Sequence, residues 1–353
     1  VIIYKEKGIN EKLLKVENPG ITPIKINRDA QSDFLKEILN DKTEDIKPEF
    51  IDYEKEISVE LVHSKKLSCV KNKYNEIAQL YFIFPIGSDH DRDLGLSMQI
   101  LQYLGTDRFS ADELKKEFYK IGITNDFKTS TDQLTITLAG LEENIEEGVK
   151  LLQHWMKNVQ PNQEIYNQFV ETVLENRTAV KKDKSRIMQA LTNYTKLGPV
   201  SRFTQVISKE ELESADVEIY TKRIKNMFDY PYQIFYYGKN TKEFKNYIAQ
   251  YITPETLEIP IKKEYNETET GGNVYFVNYD MVQVEMSKIA KGKDVDTTQF
   301  GKINVFNEYF GRGLSSIVFQ EIRESKSLAY SAYVSYSPNS ELYHPDYVTS
   351  YIG

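Results

Sequence analysis

The chain has 353 residues, with 45 Lys and Arg against 53 Asp and Glu, a formal net charge of −8. At about 150 residues per domain this length predicts two domains, each large enough to bury a core, and 40% hydrophobic with 28% charged residues excludes a disordered chain. The longest nearly unbroken apolar run, 80–86, has seven residues where a membrane helix needs about 20, and the acidic balance argues against broad nucleic-acid binding.

Val1 is not a start methionine, and 347–353 reads as a strand that stops abruptly, so the sequence reads as a fragment and leaves the compartment open. Residues 1–55 are polar and irregular, with loop signals at Asn18-Pro19-Gly20 and at Pro23. A short helix is expected over 32–40, with Ser32 or Asp33 at its cap and Phe34, Ile38 and Leu39 on one face. By composition this region is a linker or extended arm.

From about residue 56 the patterning becomes regular. Residues 77–84 are aromatic and β-branched, a buried strand ended by Pro85 and Gly87. Leu94, Met98, Leu101 and Leu104 recur at helical spacing, and Gly105 stops that helix. Ser110 and Glu113 have capping-box spacing and open a second helix to Gly122. Residues 133–139 alternate with period two, a half-buried strand. Two long helices are expected over 142–157 and 163–182, separated by Pro161, then a helical connection over 196–216 broken at Gly198-Pro199. Residues 232–237 form a strand closed by Gly238, and 253–272, with two prolines and a glycine pair, is the expected interdomain linker.

The order then repeats. Strands are expected over 274–279 and 282–289, and a helix over 297–310 with Phe300, Ile303, Phe306 and Tyr309 or Phe310 inward. A turn at Gly311-Arg312-Gly313, a helix over 315–324 and a strand over 328–336 follow. Strand, helix, helix, strand thus occurs twice, which predicts a duplicated α+β unit with a mainly antiparallel sheet.

The groups able to do chemistry are few. One cysteine, Cys69, excludes an internal disulfide and a thiolate-based metal site, and it stands in a strand-like stretch with no helix N-terminus to activate it. The histidines His63, His90, His154 and His344 are so far apart that no H-x-x-E-H helix exists. Asp89, His90 and Asp91 have metal-binding composition but no second histidine nearby, so a solvated or packed turn is the simpler reading. The pairs Glu142-Glu143, Glu146-Glu147 and Glu210-Glu211 sit where helices begin, complementing the helix dipole. Glu171 and Glu175 are one helical turn apart, where a salt bridge to a nearby cation is expected.

The 24 residues 307–330 change the picture. Asn307, Gly311, Gly313, Ser316, Phe319, Arg323, Glu324, Leu328 and Tyr330 follow the pattern N-x-x-x-G-G-G-x-x-S-x-L-F-x-x-[IL]-R-E-x-x-x-L-A-Y, with departures at Arg312 and Val318. This resembles the non-catalytic C-terminal part of the pitrilysin/insulinase family of zinc metallopeptidases. The segments at 84–87, 93–97, 105–106 and 110–113 are similar to the family's earlier repeat. Where the catalytic repeat has H-x-x-E-H, this sequence has Met98, Leu101 and Gln102, and Glu175 falls near the third ligand position. A thioether and an amide do not replace two imidazoles, and Leu cannot take a proton from water, so that repeat is dead as a zinc site.

The resemblance spans roughly 56–353. It implies α+β domains of the pitrilysin and mitochondrial-processing-peptidase kind, in two halves around a closed chamber. On that reading, 1–55 is an arm from a preceding half, 56–252 a complete non-catalytic domain, 253–272 a linker, and 273–353 the start of a truncated second domain. The implied cofactor is zinc, held in the parent protein and not in this chain. The implied partners are the N-terminal catalytic half and a peptide substrate, with no nucleic acid and no membrane span. The implied catalytic and substrate-binding residues are Arg323 and Tyr330, seven apart, which reach the substrate backbone near the scissile bond. Without the resemblance Arg323 would be assigned to a helix-end salt bridge with Glu321 or Glu324. Two rival readings are a catalytically dead scaffold or binding subunit of the same fold, and an autonomous metalloenzyme using His90.

Overall fold

The computed structural model describes residues 30–42, 47–268, 272–294, 296–339 and 344–353, so the loop signals at 18–23 lie outside it. The chain divides into two units, Val1–Ile51 and Asp52–Gly353. The described part of the first holds α1 (Asp33–Asn40), whose start is set by Ser32 accepting a hydrogen bond from the Leu35 amide at 3.1 Å. Its apolar residues Phe34, Ile38 and Leu39 are exposed.

In the second unit a short α2 (Tyr53–Glu56) leads into β1 (Ile57–Val62), β2 (Lys65–Lys71) and β3 (Ile77–Phe84). Helices α3 (Leu94–Leu101) and α4 (Ala111–Lys120) follow, then β4 (Ile123–Thr129) and β5 (Leu134–Leu141). Next come α5 (Ile145–Asn158), α6 (Gln163–Val180), α7 (Lys184–Leu197), α8 (Lys209–Ser214), α9 (Val217–Lys225), β6 (Gln233–Gly238) and α10 (Thr241–Ile248). These strands form one six-stranded sheet in the order β1-β2-β6-β3-β5-β4. Only β2 and β6 pair in parallel; β6 joins β2 and β3 long after both in sequence. The alternation along β3 puts Ala78, Leu80, Phe82 and Phe84 on a fully buried face, which the helices cover. Tyr81, Thr135, Thr137 and Phe235 on the opposite face are only half-buried, as an antiparallel sheet with one solvated face allows.

The second sheet is built from β7 (Met286–Asp294), β8 (Ala332–Ser337) and β9 (Pro345–Ile352) in the order β7-β9-β8, all antiparallel. Between β7 and β8 run α11 (Phe300–Phe306), a π-helical turn Asn307–Gly311, and a three-residue α12 (Ile317–Phe319) that continues as a second π-helical turn, Gln320–Ser325. The duplication is real and one strand longer than expected. β3-α3-α4-β4-β5 and β7-α11-α12-β8-β9 share chain order and sheet order, with the third strand lying between the other two. In each unit a serine caps the second helix: Ser110 with its capping box on α4, and Ser316 on α12.

Several expectations need correction. No strand forms over 274–279, and the next begins at Met286 rather than 282, because nothing among the described residues pairs with 274–285; Val274, Phe276, Val282 and Val284 are exposed. Of the apolar side chains expected inward, only Ile303 is buried, while Phe300, Phe306 and Tyr309 are exposed. Strand β8 begins at Ala332 rather than 328. In the region 196–216 the break falls where expected, Gly198 at φ 68° ending α7 and Pro199 unable to continue it, but helix resumes only with α8 at Lys209. Residues 253–268 form no element but lie along the first sheet's unit, with the Thr256 and Leu257 amides donating to Asp229, the Lys263 amide to Asp89 and the Thr268 amide to Lys196.

The β1–β2 turn consists of His63 and Ser64 at φ 48° and 70°, the left-handed pair that favours Asn-Gly in a two-residue hairpin. Replacing Ser64 with glycine should therefore stabilise the fold by about 1 kcal/mol. A thermal midpoint equal to or below the parent's would count against strain at this turn.

Candidate functional site

The motif 307–330 divides by what its side chains touch. Asn307, 4% exposed, donates from Nδ2 to the Tyr336 carbonyl and accepts at Oδ1 from the Tyr336 amide, both at 2.8 Å, which locks the first π turn to β8. Gly311 lies so close to that strand that a Cβ would stand 1.8 Å from the Val334 carbonyl oxygen. Arg312, where the family pattern has glycine, donates to the Ser335 hydroxyl. Ser316 is fully buried; its hydroxyl donates to the Gly313 carbonyl at 2.9 Å and accepts from the Phe319 amide at 3.3 Å. These residues hold the backbone.

The second part of the motif has a different character. The π turn widens the helix where Arg323 sits, a distortion that often marks functional sites. Ser327 then adopts φ 51°, rare for a residue with a side chain, and the Ser327 amide bonds the Arg323 carbonyl at 3.1 Å. The Leu328 amide bonds the Ile322 carbonyl at 3.0 Å, completing a reversal that brings Tyr330 back over the helix end. The Arg323 guanidinium carbon lies 4.9 Å from the centre of the Tyr330 ring and 4.8 Å from that of Phe319. The two residues named from the sequence are therefore side by side.

Neither is engaged in holding the fold. Tyr330 is 73% and Leu328 68% exposed. The Tyr330 hydroxyl has no hydrogen bond among the described residues. Among the described residues Arg323 has as a charged partner only Glu324, at 3.8 Å, beyond hydrogen-bond distance, while Glu321 pairs instead with Lys326. A half-buried guanidinium and a phenol with uncommitted donors among the described residues, set on the turn closed by the Ser327 and Leu328 amides, can bind a carbonyl oxygen or stabilise negative charge developing on one.

The other candidates have structural roles. In the turn 88–92, Asp89 is buried and takes Arg202 at 3.0 Å from Nε and 2.6 Å from Nη2; Asp91 takes Arg223; Arg92 pairs with Glu211; and His90 Nδ1 accepts from the Gly87 amide at 3.2 Å. Arginines and backbone thus occupy the groups a metal would need. His63 is at the hairpin tip and His344 immediately precedes β9. His154 lies between the Thr106 hydroxyl and the Asn158 amide, each at 3.1 Å. Burial pushes the Cys69 thiol up to about 11, so it is protonated and a poor nucleophile at neutral pH. Neither Glu171 nor Glu175 pairs with a cation among the described residues; Glu175 lines a groove with Leu174 and Lys182. Met98 and Leu101 are buried in the core, and among the described residues no three His, Cys, Asp or Glu side chains converge as metal ligands.

One feature had no sequence signal. A cavity of about 760 Å³ is lined by Glu76, Glu142, Glu143, Glu146 and Glu243, brought together from three separate stretches. Glu142 there accepts from the Tyr236 hydroxyl at 2.6 Å and the Asn240 amide at 2.7 Å, and Glu76 pairs with Lys239, so part of its charge serves the fold.

Residues 232–352 match a family model described as the peptidase M16 inactive domain. The chain is consistent with the C-terminal half of an M16 protein. The matched M16 segment contains β6, α10, the whole second sheet and both Arg323 and Tyr330. In structure, the chain resembles a peptidase M16 inactive domain from Pseudomonas fluorescens, with TM-score 0.68 and 14% identity over 84% of this chain and 74% of that one. It resembles the periplasmic protease PqqL from Escherichia coli with TM-score 0.66 and 12% identity, covering 97% of this chain and 38% of PqqL. It also resembles the ferredoxin protease FusC, solved as a mutant in complex with Arabidopsis ferredoxin, with TM-score 0.65 and 10% identity over 89% and 37% of the two chains. At these identities the likeness establishes the M16 fold. No curated protein matches the sequence. Among the described residues no helix is long and apolar enough to cross a membrane.

Proposed function

We propose that this chain is the non-catalytic C-terminal half of a zinc-dependent metalloendopeptidase of the pitrilysin/insulinase kind. Its contribution is Arg323 and Tyr330, which bind the substrate backbone and stabilise charge on the scissile carbonyl oxygen. The zinc belongs to the N-terminal half, the peptide substrate lies between the halves, and this chain comprises an arm (1–55), a complete domain (56–252), a linker (253–272) and the start of a second domain (273–353). The observation that carries the reading is the Arg323–Tyr330 pair: adjacent, uncommitted among the described residues, and mounted on a strained turn closed by the Ser327 and Leu328 amides. Such strain and open donor capacity have no role in stability, whereas preorganised donors aimed at a developing oxyanion accelerate acyl transfer.

The 353-residue chain by itself should not cleave unstructured peptides, and mixing it with the zinc-bearing half should restore cleavage. Peptidase activity of the purified chain alone, retained after chelation and removal of contaminants, would contradict the assignment. A reconstituted protein that binds no zinc and cuts no peptide would instead establish the scaffold reading.

A further inference from the structure

We infer that Phe319 is a positioning residue for Arg323, holding its guanidinium against an aromatic face so that its N–H donors are presented to substrate. The inference rests on the catalytic reading of Arg323. An arginine side chain has four rotatable bonds, and one with no hydrogen-bonded partner samples many rotamers; a donor that must be in place when charge develops cannot do so without loss. Ordinary fixation, by a bidentate carboxylate, would consume the donors the reaction needs.

Here the fixation is of another kind. Phe319 stands one helical turn before Arg323, the spacing at which side chains on a helix meet. Its ring centre is 4.8 Å from the guanidinium carbon and that of Tyr330 is 4.9 Å away. Contact with the ring faces leaves the N–H edge free, and the nearest carboxylate, Glu324, stays at 3.8 Å. Phe319 is itself placed by Ser316, which accepts its amide at 3.3 Å from a buried position. The chain of support therefore runs from the Ser316 cap through the Phe319 ring to the guanidinium.

Two readouts test this. In the protein carrying both halves, Phe319→Leu should lower kcat about tenfold with KM within about twofold, and Phe319→Tyr, which keeps the ring, should restore kcat. In the 353-residue chain, the Arg323 side-chain proton resonances should be shifted upfield by the rings in the parent and in Phe319→Tyr, and should move downfield in Phe319→Leu. Arg323 resonances that do not respond to Phe319→Leu would overturn the inference whatever the kinetics. So would an unchanged kcat in Phe319→Leu when Arg323→Ala remains severely impaired. If the resonances move but Phe319→Leu and Arg323→Ala are both kinetically silent, the catalytic reading of Arg323 fails and this inference with it, while the ring contact stands.

Discussion

Replacing Tyr330 with phenylalanine, or Arg323 with alanine, in the protein that carries both halves should lower kcat/KM about 100-fold, with zinc content unchanged and thermal midpoint little changed. The magnitude is that of removing one preorganised donor from a developing oxyanion, about 3 kcal/mol. The small stability effect follows from Tyr330 being 73% exposed and from neither side chain having a hydrogen-bonded partner among the described residues. Tyr330→Phe is the sharper variant, since it removes one oxygen and leaves the ring against Arg323. The loss should appear mainly in kcat if the hydroxyl acts on the transition state, and in KM if it only binds the ground state. Activity within about twofold of the parent for both variants would remove the assigned roles.

The opposite behaviour is expected of Asn307→Ala. Its side chain satisfies both the amide and the carbonyl of Tyr336 from a position 4% exposed, so alanine removes both bonds from partly buried backbone groups. At about 1–3 kcal/mol for each, the variant should lose about 3 kcal/mol of stability, and urea denaturation measures it directly. Gly311→Ala should be similarly damaging for a steric reason, because its added methyl would stand 1.8 Å from the Val334 carbonyl oxygen. If Asn307→Ala unfolded at the parent's urea midpoint, the π turn would not depend on this lock. Together the two experiments test whether one 24-residue motif divides into a part that shapes the backbone and a part that serves the proposed activity.

Some of this was legible in the order of residues. The 77–84 strand coincides with β3, and the Ser110 and Glu113 spacing does form a capping box, because both signals depend on neighbours within a few residues. Other elements were not legible. β4 carries polar residues at Asn125, Asp126 and Lys128, and is a strand because β5 pairs with it. α7 has no fully buried residue and so a weak apolar stripe. The segment 274–279 shows the converse: strand-forming residues without a partner do not make a strand. The acidic cavity depended on β6, which slots between β2 and β3 and brings Tyr236 and Asn240 to Glu142.

For function, sequence alone determined the α+β class, the resemblance carried by 307–330, the seven-residue spacing of Arg323 and Tyr330, and the absence of an H-x-x-E-H run at 98–102, where Met98, Leu101 and Gln102 stand. These are matters of residue identity and short-range spacing, which need no folding to read. Only the tertiary structure decided which motif residues hold the backbone and which are free. Burial, a positive φ at Ser327 and the approach of two rings to one guanidinium arise when β8 packs on the π turns and the chain reverses, and spacing does not encode them.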